Sequence, residues 1–209
     1  SSDLVLPGSR FVEALAPFVR AFETWDYSAT NVRRWGELGL GARVRHLQPA
    51  YLPEFTTVDL DAPRDVDVLF YGTPSPRRDA VLRSIAVAGL QVRTLTGAHG
   101  HELSRWIERA RIVVNVHHRH DAVFEFARLS RTLANRRCFV TESGGEEDVD
   151  PALRTGFVSA PAGELASACR SLIDDPVRRE AIAARGHELY RATDFTRNLA
   201  RVLGIEPRR

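Results

Sequence analysis

Four short stretches of this chain carry the residue types and spacings that could do chemistry. Gly72-Thr-Pro-Ser-Pro-Arg77-Arg78 follows an apolar β-branched run and opens a helical pattern. Backbone N–H groups and the helix dipole favour an anion at such a place, and Arg77 or Arg78 could add a bidentate contact; a Pro-rich turn with two solvated arginines is the alternative. Glu125 stands three residues before Arg128, so the two side chains either pair across a helical turn or leave Glu125 free to accept hydrogen bonds from a ribose diol. His99, His101, His117, His118 and His120 resemble a metal cluster only in number. His117 and His118 are adjacent and point opposite ways on extended backbone, and no cysteine or spaced carboxylate completes a ligand set, so no metal is expected; solvent-exposed turn histidines are the plain reading, and a neutral imidazole meeting a sugar or phosphate oxygen is the functional one if the crevice exists. Glu142-Ser-Gly144-Gly145-Glu146-Glu147 follows a strand; its glycines permit close backbone approach while its acids repel a naked phosphate, which makes a sugar hydroxyl the better partner. Ser143 has no G-x-S-x-G elbow around it, so a hydrolase triad is not expected.

The elements that would position these residues alternate regularly. Ile112–Val116 and Cys138–Thr141 read as buried parallel strands joined by a helix, one βαβ unit, with Val123, Phe126, Ala127, Ser130, Leu133 and Ala134 on the helix's inner face and Glu125, Arg128 and Thr132 on another. Parallel sheets place their ligand crevice at the carboxyl ends of the strands, so residues 117–121, Glu125 in the first helical turn, and 142–145 are expected to border one crevice. Further strands are predicted at 66–71, 90–95 and 156–158, and helices at 76–89, 102–110, 163–173 and, as one or two, within 176–203. Upstream, 4–6 and 44–47 read as short strands, 9–21 as a helix with Phe11, Leu15 and Phe18 inward, and 29–38 as a second helix capped by Asp26 or Ser28. The expected organisation is α/β: residues 1–55 the tail of a separate α/β domain, 56–64 a linker, and 65–209 a doubly wound, mainly parallel Rossmann-like domain.

Composition narrows the function classes. All 29 basic residues are arginine, against 27 acids and a net charge of +2, so any phosphate clamp must be guanidinium, lysine chemistry is excluded, and the one-sided basic block of a nucleic-acid binder is missing. No apolar run suits a membrane span and no signal pattern is present, and the two cysteines, Cys138 and Cys169, read as buried thiols of a reducing cytoplasm.

The stretch HHRHDAVFEFARLSRTLANRRCFVTES resembles the nucleotide-sugar-binding half of group 1 glycosyltransferases with the GT-B architecture, in particular their CgeB-like, spore-maturation-protein-like branch. TWDYSATNVRRWGELG with VRHLQPAYLPEF, and DVLFYGTPSPRRDAVLRSIAVAGLQV, resemble the stretches by which that branch passes into its C-terminal domain. The resemblance implies a hexosyltransferase-like, metal-independent transfer from a nucleoside diphosphate sugar to an acceptor hydroxyl, with no further cofactor and with the acceptor, a sugar, lipid or protein, unspecified. It implies that Glu125 matches the second Glu of the family's E-x7-E pattern and holds the ribose, that His117 stands at the first Glu and takes the catalytic position, and that Arg77 or Arg78, with Arg128, meets the diphosphate beside Gly72. The loop from Gly97 to His101, with contacts at position 98 and at His99, would run past the base, and Glu142, Gly144 and Gly145 would face the sugar. The chain would then supply mainly the donor-binding half of the enzyme. A non-catalytic nucleotide- or sugar-binding module, or a partner-binding α/β domain, is the other reading.

Overall fold

A computed structural model describes residues 5–119 and 122–205. Two parallel sheets organise them. The small one pairs β1 (Thr24–Asp26) with β2 (Val44–His46) and is covered by α1 (Arg10–Ala21) and α2 (Ala29–Glu37) around Val5, Val12, Val19, Trp35 and Val44. The large one contains β3 (Val66–Tyr71), β4 (Val92–Leu95), β5 (Ala110–Asn115), β6 (Cys138–Glu142) and β7 (Val158–Ala160), all parallel, in the spatial order β4-β3-β5-β6-β7. Its helices are α3 (Pro76–Val87), α4 (Gly100–Arg109), α5 (Phe126–Ala134), α6 (Leu165–Asp174), α7 (Pro176–Arg191) and α8 (Phe195–Leu203). The protein is therefore an α/β structure with a mainly parallel sheet between layers of helices, as the alternating pattern predicts.

The three central strands are apolar on both faces because helices cover both. Val68, Phe70, Ile112, Val114 and Val140 pack with residues of α3 and α6, while Leu69, Val113 and Phe139 pack on the other side with residues of α4 and α5 and with Tyr190 of α7. Helix starts follow local chemistry: Ser9, Ser28, Ser75, Asp175 and Asp194 each accept a hydrogen bond from the backbone N–H three residues on, and Pro76 and Pro176 occupy first helical positions that need no donor.

Residues 56–58 carry no regular structure but are held down. Asn135 Oδ1 accepts from the N–H of Thr57 (2.8 Å) and of Val58 (3.2 Å), and its Nδ2 donates to the Phe55 carbonyl at 2.8 Å. Just before this segment, the buried Tyr190 Oη donates to the Ala50 carbonyl at 2.8 Å.

Several local expectations need correction. In α1 the buried stripe is Val12, Ala16 and Val19, whereas Leu15 and Phe18 are exposed and Phe11 is half-buried. The two stripes lie one residue, about 100°, apart, and only the position of Trp35 and Val44 selects between them. In α5 Ala127 is exposed while Arg128 and Thr132 are buried, because the strand ends reach past the helix's apolar stripe. Val5 and Leu6 form no strand, and the rest of that expected strand, Leu4, lies outside the described residues. Strand β1 has three residues, too few for a period to be read.

Candidate functional site

The sheet order sets the place. From β3 the chain moves outward to β4, then returns to lay β5 on the other side of β3, so the topological switch lies between β3 and β5, where an open parallel sheet leaves a crevice at its carboxyl ends. Three arginines converge there from two helices. Arg78, in the first turn of α3, donates Nε to the Val116 carbonyl at 2.9 Å and Nη1 to the Thr73 carbonyl at 2.8 Å, tying the ends of the two switch strands together. Arg128 of α5 donates Nη2 to the Tyr71 carbonyl at 2.6 Å and Nη1 to Asn115 Oδ1, and its guanidinium lies over the rings of Phe70 and Tyr71 at 5.2 and 5.0 Å. Arg77 donates to the His117 carbonyl at 2.8 Å and forms a bidentate ion pair with Glu142.

Arg78 and Arg128 are buried, and neither contacts a carboxylate among the described residues. Carbonyl and amide oxygens satisfy their hydrogen-bond geometry without neutralising their charge. Burial, reinforced by the neighbouring Arg128, pushes the Arg78 guanidinium down to about 10. Gly72 lies between them: a Cβ there would stand 2.9 Å from Arg128 Nη2 and 3.6 Å from Arg78 Nη1, so only a residue without a side chain opens this positive floor.

Above the floor is a cleft of about 420 Å³, a size suited to a small ligand. Gly72, Ala98, His99, Glu125 and Arg128 all line it, with Tyr71, Leu103 and Arg131 completing the wall. Glu125 is half-buried and is the N-cap residue of α5, one position before the helical turn where it was expected. Its carboxylate caps no backbone N–H and takes part in no ion pair or hydrogen bond among the described residues, so the expected alternative of an Arg128 partner is not realised. Tyr71, at the end of β3, has a buried Oη without a partner and is pushed up to about 12 by burial and by Glu125, against the opposing charge of Arg128.

Arg78 lies behind Gly72 and does not itself line this cleft, and the remaining expected residues form a second group that does not line it either. Burial alone would raise the Glu142 carboxyl, but hydrogen bonds from Arg77 and from the His117 N–H (2.9 Å) hold it below the usual glutamate range. Arg77 is correspondingly raised by Glu142. His117 is buried, its Nε2 has no partner, and burial lowers its pKa although Glu142 opposes the shift. Gly144 approaches that ring: a Cβ on it would lie 3.4 Å from His117 Nε2. At Gly145, where φ is +79°, a Cβ would come within 2.6 Å of the Phe124 backbone nitrogen, so this glycine lets the loop after β6 press against the segment leading to Glu125.

Two expectations change as a result. Glu142 has its oxygens engaged by Arg77 and His117 and is not free for a sugar hydroxyl, and Arg77 is neutralised by Glu142 and is not free for a diphosphate. Position 98, where a contact with the base is expected, is the buried Ala98 of the cleft wall, flanked by Gly97 and Gly100 at φ +72° and +52°. His99 is the N-cap residue of α4, exposed at the cleft edge, and His101 and His118 are exposed. His120 and Asp121 lie outside the described residues. Among those described, no three His, Cys, Asp or Glu side chains are grouped to hold a metal ion, and no helix is long and apolar enough to cross a membrane. Cys138 and Cys169 are buried thiols, each pushed up to about 12 by burial. Sequence reasoning missed Tyr71, Asn115 and Arg131; the signal for Asn115 was its place as the one polar residue in the run 112–116.

No family model matches the chain. The uncharacterized protein L138 of Acanthamoeba polyphaga mimivirus is 32% identical over 109 residues, which is 51% of this chain and 12% of that protein. Among solved structures, Anabaena HepE in complex with UDP and glucose superposes with a TM-score of 0.72 at 10% identity, covering 98% of this chain and 69% of HepE. Sucrose-phosphate synthase from Thermosynechococcus elongatus gives 0.64 at 13% identity over 94% of this chain and 62% of its own, and S. aureus TarM in complex with UDP gives 0.66 at 8% over 95% and 48%. At these identities the likeness is one of architecture: the chain has the α/β fold of GT-B glycosyltransferases.

Proposed function

We propose that this chain binds a nucleoside diphosphate sugar at the β3–β5 switch and serves glycosyl transfer as the donor-binding half of a GT-B enzyme of the group 1, CgeB-like kind. One observation supports the reading: two buried guanidiniums with no carboxylate contact among the described residues lie against Gly72, Arg128 lining the cleft and Arg78 behind it, and Glu125, with no ion pair or hydrogen bond among those residues, stands at the rim of the same cleft. That is the charge pattern a nucleoside diphosphate requires, an anion at one end and a pair of ribose hydroxyls at the other. Arg78 and Arg128, with the start of α3, would take the diphosphate, Glu125 the ribose, and the Gly97–Gly100 loop the base. His117, whose Nε2 is buried and unpartnered, would meet the reacting sugar.

In the reaction an acceptor hydroxyl attacks the anomeric carbon and the nucleoside diphosphate leaves. Fixed positive charge beside the leaving oxygens stabilises the charge that develops there, so the step can proceed without a metal ion. The complexes of HepE with UDP-glucose and of TarM with UDP support the donor class. The domain division at residues 56–64 and a cytoplasmic site of action belong to the same proposal.

Thermal-shift titration with UDP-, GDP- and dTDP-sugars tests it. Stabilisation by one of these nucleotides, with none from the corresponding free sugar, is the expected result. If none of the three moves the melting temperature, the donor reading fails.

A further inference from the structure

The loop after β6 carries a buried carboxylate that the proposed donor site does not use. Asp148 reaches across to the start of α2, the helix that covers the small sheet. Its Oδ2 accepts from the Ser28 hydroxyl, and its Oδ1 accepts from the Thr30 N–H at 3.0 Å and from the Thr30 hydroxyl at 3.1 Å. Ser28 Oγ already accepts from the Asn31 N–H at 3.0 Å, so its one proton is left for Asp148 and the direction of the contact is fixed. A helix start favours an anion, and Ser28, Thr30 and Asp148 are all buried, so this clasp holds α2 and the loop in one arrangement.

The same loop is closed on itself. The Asp148 N–H donates to the Gly145 carbonyl at 3.2 Å, the Gly144 N–H donates to Glu146 Oε2 at 2.7 Å, and the Ser159 hydroxyl of β7 donates to Glu146 Oε1. Its inner side presses on the donor site from behind: Gly145 lies against the Phe124 nitrogen and the Val123 carbonyl carbon, and Gly144 against the His117 ring. Residues 122–125 belong to no helix or strand, so what packs on them decides where Glu125 stands. The small sheet adds a second contact to this segment. The ring of Tyr27, one residue before Ser28, meets Phe126, one residue after Glu125, edge-on at 5.9 Å.

We infer that Asp148 is a positioning residue of the donor cleft. By clasping the start of α2 it keeps Gly145 against Phe124 and so sets the place of Glu125, although Asp148 itself does not line that cleft. The effect on a nucleotide rests on the donor reading, whereas the hold on residues 123–126 does not.

Hydrogen exchange of the amides of 123–126, together with calorimetric titration of UDP, GDP and dTDP, tests it. Asp148→Ala should speed exchange in that segment about tenfold while β3 and β5 keep their protection. It should also weaken the nucleotide that binds by roughly tenfold, within the range for a residue acting through another. Asp148→Asn, which keeps an oxygen for Thr30, should recover most of both. Thr30→Val removes one donor and keeps the shape of the side chain; it should reproduce both effects in smaller measure and carries the test should Asp148→Ala not fold. Combined with Glu125→Ala, Asp148→Ala should weaken the nucleotide little further, because a misplaced carboxylate and a missing one are the same loss. Val12→Ala, which loosens the core of the small sheet away from the clasp, should leave both readouts unchanged. Unchanged exchange in Asp148→Ala, an equal change in Val12→Ala, or fully additive losses with Glu125→Ala would each overturn the inference. If none of the three nucleotides binds the unaltered protein, the donor reading falls and the exchange measurement alone decides whether the clasp positions the segment.

Discussion

Two carboxylates at the ends of neighbouring structural units invite the same functional reading and have opposite fates. Glu142 ends β6 with both oxygens occupied by Arg77 and by the His117 backbone, whereas Glu125 precedes α5 with no hydrogen bond or ion pair among the described residues. The same contrast separates Arg77, which is paired, from Arg78 and Arg128, whose partners are uncharged oxygens. One half of the strand-end region has spent its charges on holding the chain together, and the other half has left them available. A charge that is already neutralised supports the fold, and one held in place without a counter-charge is free to meet a ligand.

The sharpest way to break this comparison is to remove each carboxylate in turn. Glu142→Ala leaves Arg77 with a largely buried and unpaired guanidinium and should cost about 3–5 kcal/mol of stability, read as a lowered denaturant midpoint. Loss of only a few tenths of a kcal/mol would show the pair to be ornamental. Glu125→Ala should leave the midpoint within about 0.5 kcal/mol, because the half-exposed carboxylate makes no hydrogen bond or ion pair among the described residues and acts on Arg78 and Tyr71 only through space. It should instead weaken the responsive nucleotide by roughly tenfold to a hundredfold in titration calorimetry, the span of one or two hydrogen bonds to a charged group. A Glu125 variant that unfolds while binding normally would invert the comparison and remove the basis for a ribose contact.

The three central strands of the large sheet were legible because each is an apolar run buried on both faces, and α3 and α7 because each opens with a capping side chain and a first-turn proline; β3 falls where the run Val66–Tyr71 places it, whereas the half-exposed edge strands β4 and β7 start two residues later than the pattern suggests. That Glu125, Arg128 and Gly72 share one cleft was legible because they stand at the junctions of those elements, and junctions can be counted along the chain. Which arginine pairs with which acid was not legible. Arg77 and Glu142 are 65 residues apart, and their contact exists only because β6 lies beside β5 and α3 packs over the strand ends. The phase of α1 was hidden for a related reason: Phe11-Leu15-Phe18 and Val12-Ala16-Val19 are both apolar stripes, and the choice between them is made by Trp35 from a different helix. The clasp of Asp148 on α2 was invisible in sequence, since it joins Ser28 to a carboxylate 120 residues away without any shared motif.

The smallest expected effect concerns acid, and it separates the two members of the spent half. His117 is buried among Arg77, Glu142 and Glu146, with its pKa lowered first by burial, so the native state resists taking up a proton that the unfolded chain accepts below about 6.5. Its contribution to stability is therefore complete above that pH and declines as the pH falls from there toward the lower native value. The Glu142 carboxyl is also lowered, by Arg77 and the His117 N–H against the effect of burial, so its contribution is held down to the ordinary glutamate range and is lost only below it. Denaturant midpoints measured between pH 7.5 and about 2.5 should accordingly fall in two stages. His117→Asn should flatten the upper stage and spare the lower, and Glu142→Gln should flatten the lower stage despite its overall loss of stability. If the decline between pH 7 and 5.5 persists in His117→Asn, the imidazole is not the group being protonated, and its burial as a neutral ring behind Gly144 loses its support.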